Sequence, residues 1–111
     1  MSEAPMEVDC RMVNEKLKAS ENVLLLDCRE QDEYAIAKIA QSKLVPMSEI
    51  ADRLDELQQF RDVPVFVHCH HGGRSMRVTK WLREQGFSQA QNMTGGIDRW
   101  SQDIDPAIPR Y

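Results

Sequence analysis

Short apolar runs alternate with amphipathic stretches along the whole chain. The clearest run is Val23-Leu24-Leu25-Leu26, which ends at Asp27. An unbroken apolar run this short predicts a strand buried on both faces, as in a parallel sheet. Val65-Phe66-Val67-His68 is a second such run, opened by Pro64, whose missing N–H does least harm at a strand start. Residues 6–8, 42–45 and 90–93 predict three further strands, with Pro46 stopping the 42–45 strand. Helices are predicted between them. Asp9 is a good N-cap for residues 10–19, with Met12, Val13 and Leu17 on the apolar side. Residues 30–37 form a modest helix. Ile50, Leu54 and Leu57 recur at i, i+4 and i+7 and predict a helix over 48–58, capped by Ser48. A helix over 74–85 is closed by Gly86, and Gly95-Gly96 turns the chain into a last helix over 97–101. The tail, 105–111, contains two prolines and is predicted to be extended.

Strands alternating with helices imply an α/β fold, a parallel sheet with helices on both faces. In such sheets ligands bind beyond the carboxyl ends of the strands, which singles out Asp27 and Cys69. The 111 residues suit one core, so residues 1–111 are expected to be a single domain with 1–5 flexible. Hydrophobic residues at 41% and charged residues at 29% fit a globular chain and not a disordered one.

Charge removes several partners. The net charge of −4 argues against nucleic-acid binding, and no basic amphipathic stretch suggests a membrane surface. The first residues lack the basic and apolar pattern of a signal peptide, and no apolar run approaches the roughly 20 residues of a spanning helix. The expectation is a cytoplasmic protein. Cys10, Cys28 and Cys69 are odd in number and widely spaced, which suits neither a disulfide framework nor structural zinc.

One cysteine stands in a reactive setting. The strand Val65-Phe66-Val67-His68 delivers Cys69 to its carboxyl end, and His70-His71-Gly72-Gly73 then leads into the helix that starts with Arg74-Ser75. Glycines let successive N–H groups turn inward into an anion-binding concavity, and the helix adds the positive end of its dipole. Both lower a thiol's pKa from its ordinary value of about 8.5 and favour the nucleophilic thiolate. Arg74 either adds a fixed charge or braces the loop through its planar fork. His68, His70 and His71 are the only histidines. Neighbouring side chains on a strand point to opposite faces, so no native metal is expected. His70 and His71 are expected at the mouth of the site, where partial positive charge would favour an anionic donor. Arg74, Arg77, Lys80 and Arg83 recur every three residues, a spacing that drifts around a helix, so Lys80 and Arg83 are expected on a solvated face. Asp27 is either an acceptor for Arg29 or the loop, or a cap or turn residue. Cys28 is expected to face away from Asp27, and it could resolve an oxidised Cys69.

Cys69, Gly72, Arg74 and Ser75 match the Cys-x-x-Gly-x-Arg-Ser loop of the rhodanese family, and the chain resembles that family in two flanking motifs as well. Leu24-Leu25-Leu26-Asp27-Cys28-Arg29-Glu30, followed by Glu33-Tyr34, is similar to its Leu-Asp-x-Arg-Glu…Glu-Tyr. Asn92-Met93-x-Gly95-Gly96-Ile97-x-x-Trp100 is similar to its closing motif. The resemblance implies a rhodanese-like fold with a five-stranded parallel sheet. It implies a sulfurtransferase that moves sulfane sulfur from a small anionic donor, such as thiosulfate, through a Cys69 persulfide. Cyanide, a thiol or a sulfur-carrier protein would accept it, with no cofactor. Cys69 and Arg74 are then the catalytic pair. His70, His71, Gly72, Gly73 and Ser75 surround the substrate, and Asp27 and Arg29 support them from behind. Where the family has Gly-His-Ile-x-Gly-Ala, this chain has Ala37-Lys38-Ile39-Ala40-Gln41-Ser42. Cys69 to Arg74 is Cys-x4-Arg, whereas cysteine-dependent phosphatases use Cys-x5-Arg, which favours sulfur over phosphate or arsenate chemistry. A module that only relays sulfur between proteins is the other reading.

Overall fold

The two apolar runs become neighbouring inner strands, β2 (Leu24–Asp27) and β4 (Val65–His68), with every residue buried. The computed structural model describes residues 4–19 and 22–111; the expected flexibility of residues 1–3 lies outside the described residues. Three shorter strands, β1 (Glu7–Val8), β3 (Lys43–Leu44) and β5 (Ala90–Met93), complete a parallel sheet of order β1-β5-β4-β2-β3.

Side-chain alternation splits the inner strands between two cores. Leu24, Leu26, Val65 and Val67 pack on one side with Val78 and Leu82 of helix α3 (Gly73–Glu84), together with Ile50 and Leu57. Leu25 and Phe66 pack on the other. There they meet Cys10 and Val13 of α1 (Cys10–Lys18) and Ile97 and Trp100 of α4 (Gly96–Asp103). A six-residue helix, α2 (Gln31–Ile36), follows β2 and opens on a capping box between Glu30 and Glu33.

Two segments differ from the pattern-based expectation. Residues 48–58 do not form a continuous α-helix: turns lead into a 3₁₀ helix over Leu54–Phe60. Bonds that reach back only three residues, Glu49 N–H to Pro46 and Glu56 N–H to Arg53, wind this stretch more tightly than 3.6 residues per turn. Ile50 and Leu57 are still delivered to the core, which explains the helix-like spacing. The tail is not simply extended. Ile108 N–H turns back to the Asp105 carbonyl, Ser101 Oγ donates to Ile108 O at 2.6 Å, and Arg110 pairs with Asp98 at 2.9 Å. Arg83 is also not a solvated side chain. It donates to the carbonyls of Ala90, Ala4 and Pro5 and ties the approach to β1 onto β5.

Candidate active site

β4 places Cys69 one residue past its end, with 2% of the residue exposed. The Gly72 N–H donates to Cys69 Sγ at 3.1 Å, and Ser75 Oγ lies 3.3 Å from the sulfur. Burial alone would push the thiol up. The Ser75 hydroxyl, then the backbone N–H groups of Ser75, Gly72 and Arg74, outweigh it and hold the thiol below its ordinary value. Of the two loop glycines only Gly72 has a positive φ, +122°; Gly73 opens α3 without one. Ser75 Oγ also meets Asn92 Oδ1 of β5 at 2.5 Å, so a buried amide fixes the hydroxyl beside the sulfur.

The loop is held from behind by α4. Ile97 N–H donates to Cys69 O at 2.9 Å and Asp98 N–H to His70 O at 3.1 Å. These bonds turn the loop carbonyls outward and leave its N–H groups for the sulfur. Gly96 has φ +58°, and a Cβ there would run into the Cys69 and His70 carbonyls. The glycine turn predicted before the last helix is therefore part of the cradle.

Arg74 does not reach over the sulfur. Its guanidinium grips Glu33 with both arms, Nη1 to Oε1 at 2.6 Å and Nη2 to Oε2 at 2.8 Å. This fork holds the Glu33 carboxyl down to about 2. Tyr111 OH donates to Glu33 Oε2 at 2.9 Å and accepts from Arg29 Nη1 at 2.8 Å. The wholly buried Arg29 meets Asp27 through Nε–Oδ1 at 3.0 Å and Nη2–Oδ2 at 2.7 Å, and donates to the Ala37 carbonyl at 2.6 Å. Asp27 and Arg29 thus form a buried pair on the layer opposite Cys69, linked to Arg74 through Glu33, which Arg29 reaches by its backbone carbonyl and by way of Tyr111. Glu33, Asn92 and Tyr111 join the candidate residues. The sequence marked Glu33 and Asn92 only inside motifs, and it carried no signal for Tyr111.

The histidines part company. His68 is buried, with Nδ1 3.5 Å from the Cys69 carbonyl and Nε2 3.8 Å from Asp27, and burial pushes its pKa down. His70 stacks flat on Tyr111 at 3.9 Å, and its ring lies 3.9 Å from that of His71. Burial, then the neighbouring His71, pushes the His70 pKa down, the direction opposite to the partial positive charge expected of it. Cys69, His70, His71, Gly73, Arg74 and Arg77 line an open cleft of about 510 Å³. His70, His71 and Asp98 bring possible metal-ligand atoms within 4.8 Å of one another, but Asp98 already holds Arg110 and Gln102.

The sequence model of the rhodanese-like domain matches residues 11–103. The chain belongs to the rhodanese-like domain family. This rhodanese-like domain is 41% identical over 78% of its length to rhodanese-like/PpiC domain-containing protein 12 of Arabidopsis thaliana, spanning 30% of that protein. It is 33% identical over 94% of its length to a Zea mays relative, adenylyltransferase and sulfurtransferase MOCS3-2, and spans 23% of it. With a sulfurtransferase of Allochromatium vinosum it shares 33% identity over 92% of its own length and 94% of the relative's. A rhodanese-related protein of Thermoplasma volcanium has the same fold, with TM-score 0.80 and 28% identity, covering 96% of this chain and all of that one. Among the described residues no helix is long and apolar enough to cross a membrane.

Proposed function

We propose that this domain transfers sulfane sulfur by double displacement on Cys69. The Cys69 thiolate attacks the outer sulfur of a donor such as thiosulfate. The donor's S–S bond breaks and sulfite leaves with the bonding pair. An acceptor thiolate, or cyanide, then takes the outer sulfur, and Cys69 leaves as thiolate. The sulfur is carried on the cysteine, so the reaction calls for no cofactor. The observation that carries this reading is the polar ring around Sγ: the Gly72 N–H donates to it at 3.1 Å and Ser75 Oγ lies 3.3 Å away. These groups stabilise a thiolate and equally a persulfide anion. Arg74 spends its fork on Glu33, which leaves no bidentate clamp for a phosphate and speaks against a phosphatase. Intact mass after incubation with thiosulfate, or with a low-molecular-weight persulfide, is expected to show a gain of one sulfur atom. Cys69→Ser is expected to remove the adduct and thiocyanate formation together. Wild-type protein that gains no sulfur from either donor would refute the assignment.

The Arg74–Glu33 fork also favours a second reading, in which the sulfur comes from a protein or low-molecular-weight persulfide rather than from thiosulfate. With Arg74 paired to Glu33 and the His70 pKa pushed down by burial, the mouth offers less positive charge to a dianion. The MOCS3-2 relative, whose name joins sulfurtransferase to adenylyltransferase, supports a sulfur-carrier protein as acceptor. Glu33→Gln frees the Arg74 charge. It is expected to lower the KM for thiosulfate about fivefold, or about 1 kcal/mol, the upper range for a partly exposed pair, and to leave persulfide loading nearly unchanged. An unchanged thiosulfate KM would remove the support for this second reading.

A further inference from the structure

We propose that Cys28 is the resolving partner of Cys69: when a hydroperoxide oxidises Cys69, the two close an intramolecular disulfide that caps the sulfur site and is opened again by a dithiol. The proposal requires a nucleophilic Cys69 and no particular sulfur donor.

Three observations place the two sulfurs together. First, β2 and β4 pair in parallel up to Asp27 opposite His68, and the Cys28 N–H continues the ladder to the His68 carbonyl at 3.0 Å. Cys28 therefore stands opposite Cys69 at the next register position. Neighbouring strands lie about 4.8 Å apart, inside the Cα separation of about 4.4–6.8 Å that a disulfide spans. Second, alternation sends both side chains to the same layer, where they share one core cluster with Leu26, Val67 and Val78. Third, the two groups act on each other electrically. Burial, followed by the Cys69 charge and then Asp27, pushes the Cys28 thiol up.

Those influences set an order of events. Cys28 is fully buried, and burial and then the Cys69 charge beside it disfavour its ionisation. Cys69 is the sulfur that borders the open cleft. Its thiolate attacks the hydroperoxide O–O bond and becomes a sulfenic acid, releasing an alcohol or water. That oxidation removes the negative charge that had opposed ionisation of Cys28. The Cys28 sulfur then attacks the sulfenyl sulfur, the S–O bond breaks, and the Cys28 proton leaves with the hydroxyl as water. Cys10 sits in the opposite core with Val13 and Trp100, and burial raises its thiol to about 11, so it serves as an internal control.

The test is to treat reduced full-length protein with hydrogen peroxide, quench with iodoacetamide and map the tryptic peptides. The expected product has lost two hydrogens and joins the peptide of residues 19–29 to that of residues 62–74; dithiothreitol restores both thiols. Cys28→Ala and Cys28→Ser are expected to drive Cys69 on to sulfinic acid, a gain of two oxygens that dithiothreitol does not reverse. Both variants should still take up a sulfur atom from a donor, so failure of the disulfide and failure of sulfur transfer are read separately. Wild-type Cys69 that reaches sulfinic acid while Cys28 stays alkylatable overturns the proposal, as does a linkage between two chains.

Discussion

Ser75 meets the reactive sulfur on one side and Asn92 on the other. Removing its hydroxyl deletes the polar neighbour that does most to lower the Cys69 pKa, while burial of the sulfur stays. A hydrogen bond of about 1 kcal/mol corresponds to roughly 0.7 pKa unit. Ser75→Ala is therefore expected to raise the Cys69 pKa by about that much. The sign follows from the loss of a group that favoured the charged form. The midpoint of the pH–rate profile for iodoacetamide alkylation should move up, and a midpoint at or below the wild-type one would contradict the assigned role. At this scale Cys69, Gly72, Arg74 and Ser75 were legible because they lie within one loop. The target of Arg74 was less so: Glu33 lies 41 positions away and only a motif marked it. The setting of His70 was not legible because the residue that stacks on it, Tyr111, comes from the far end of the chain.

Between elements, the contact that decides loop shape is the one α4 makes with the turn after β4. Gly96→Ala forces a side chain into a left-handed position and into two carbonyls. The expected cost is about 2–4 kcal/mol, read as a lower urea midpoint with an unchanged slope. Because Ile97 and Asp98 N–H hold the loop carbonyls, Cys69 alkylation should slow in the variant even where it remains folded. An unperturbed midpoint would contradict this assignment. Buried strands and the helices α1 and α3 were readable from periodicity and caps. The 48–58 stretch was not, since Ile50, Leu54 and Leu57 satisfy helical spacing and are equally well delivered by turns and a 3₁₀ helix. The tail was read from its prolines, and no local pattern encodes where Ser101, Asp98 and Glu33 catch it.

Across the whole molecule, the two cores are sorted by the alternation of β2 and β4, and a buried Asp27–Arg29 pair sits where the sheet meets α2 and the tail. Such a pair fixes geometry more reliably than it adds stability, because desolvation offsets most of the attraction. Its bonds to Ala37 and Tyr111 show what is being fixed: the turn after α2 and the cover over His70. The strand order puts β4 in the middle, flanked by β5 and β2 and covered on both faces. Amide exchange in deuterated buffer should therefore be slowest at Phe66 and Val67, approaching the global unfolding limit, and fast at Ala107 and Tyr111, whose N–H groups lie in the tail. The nucleophile is mounted one residue past the segment expected to open last, and the ring stacked on the neighbouring His70 belongs to a segment expected to open early. The His70 wall of the cleft can then rearrange on a timescale of local opening while the cradle that tunes the sulfur stays closed.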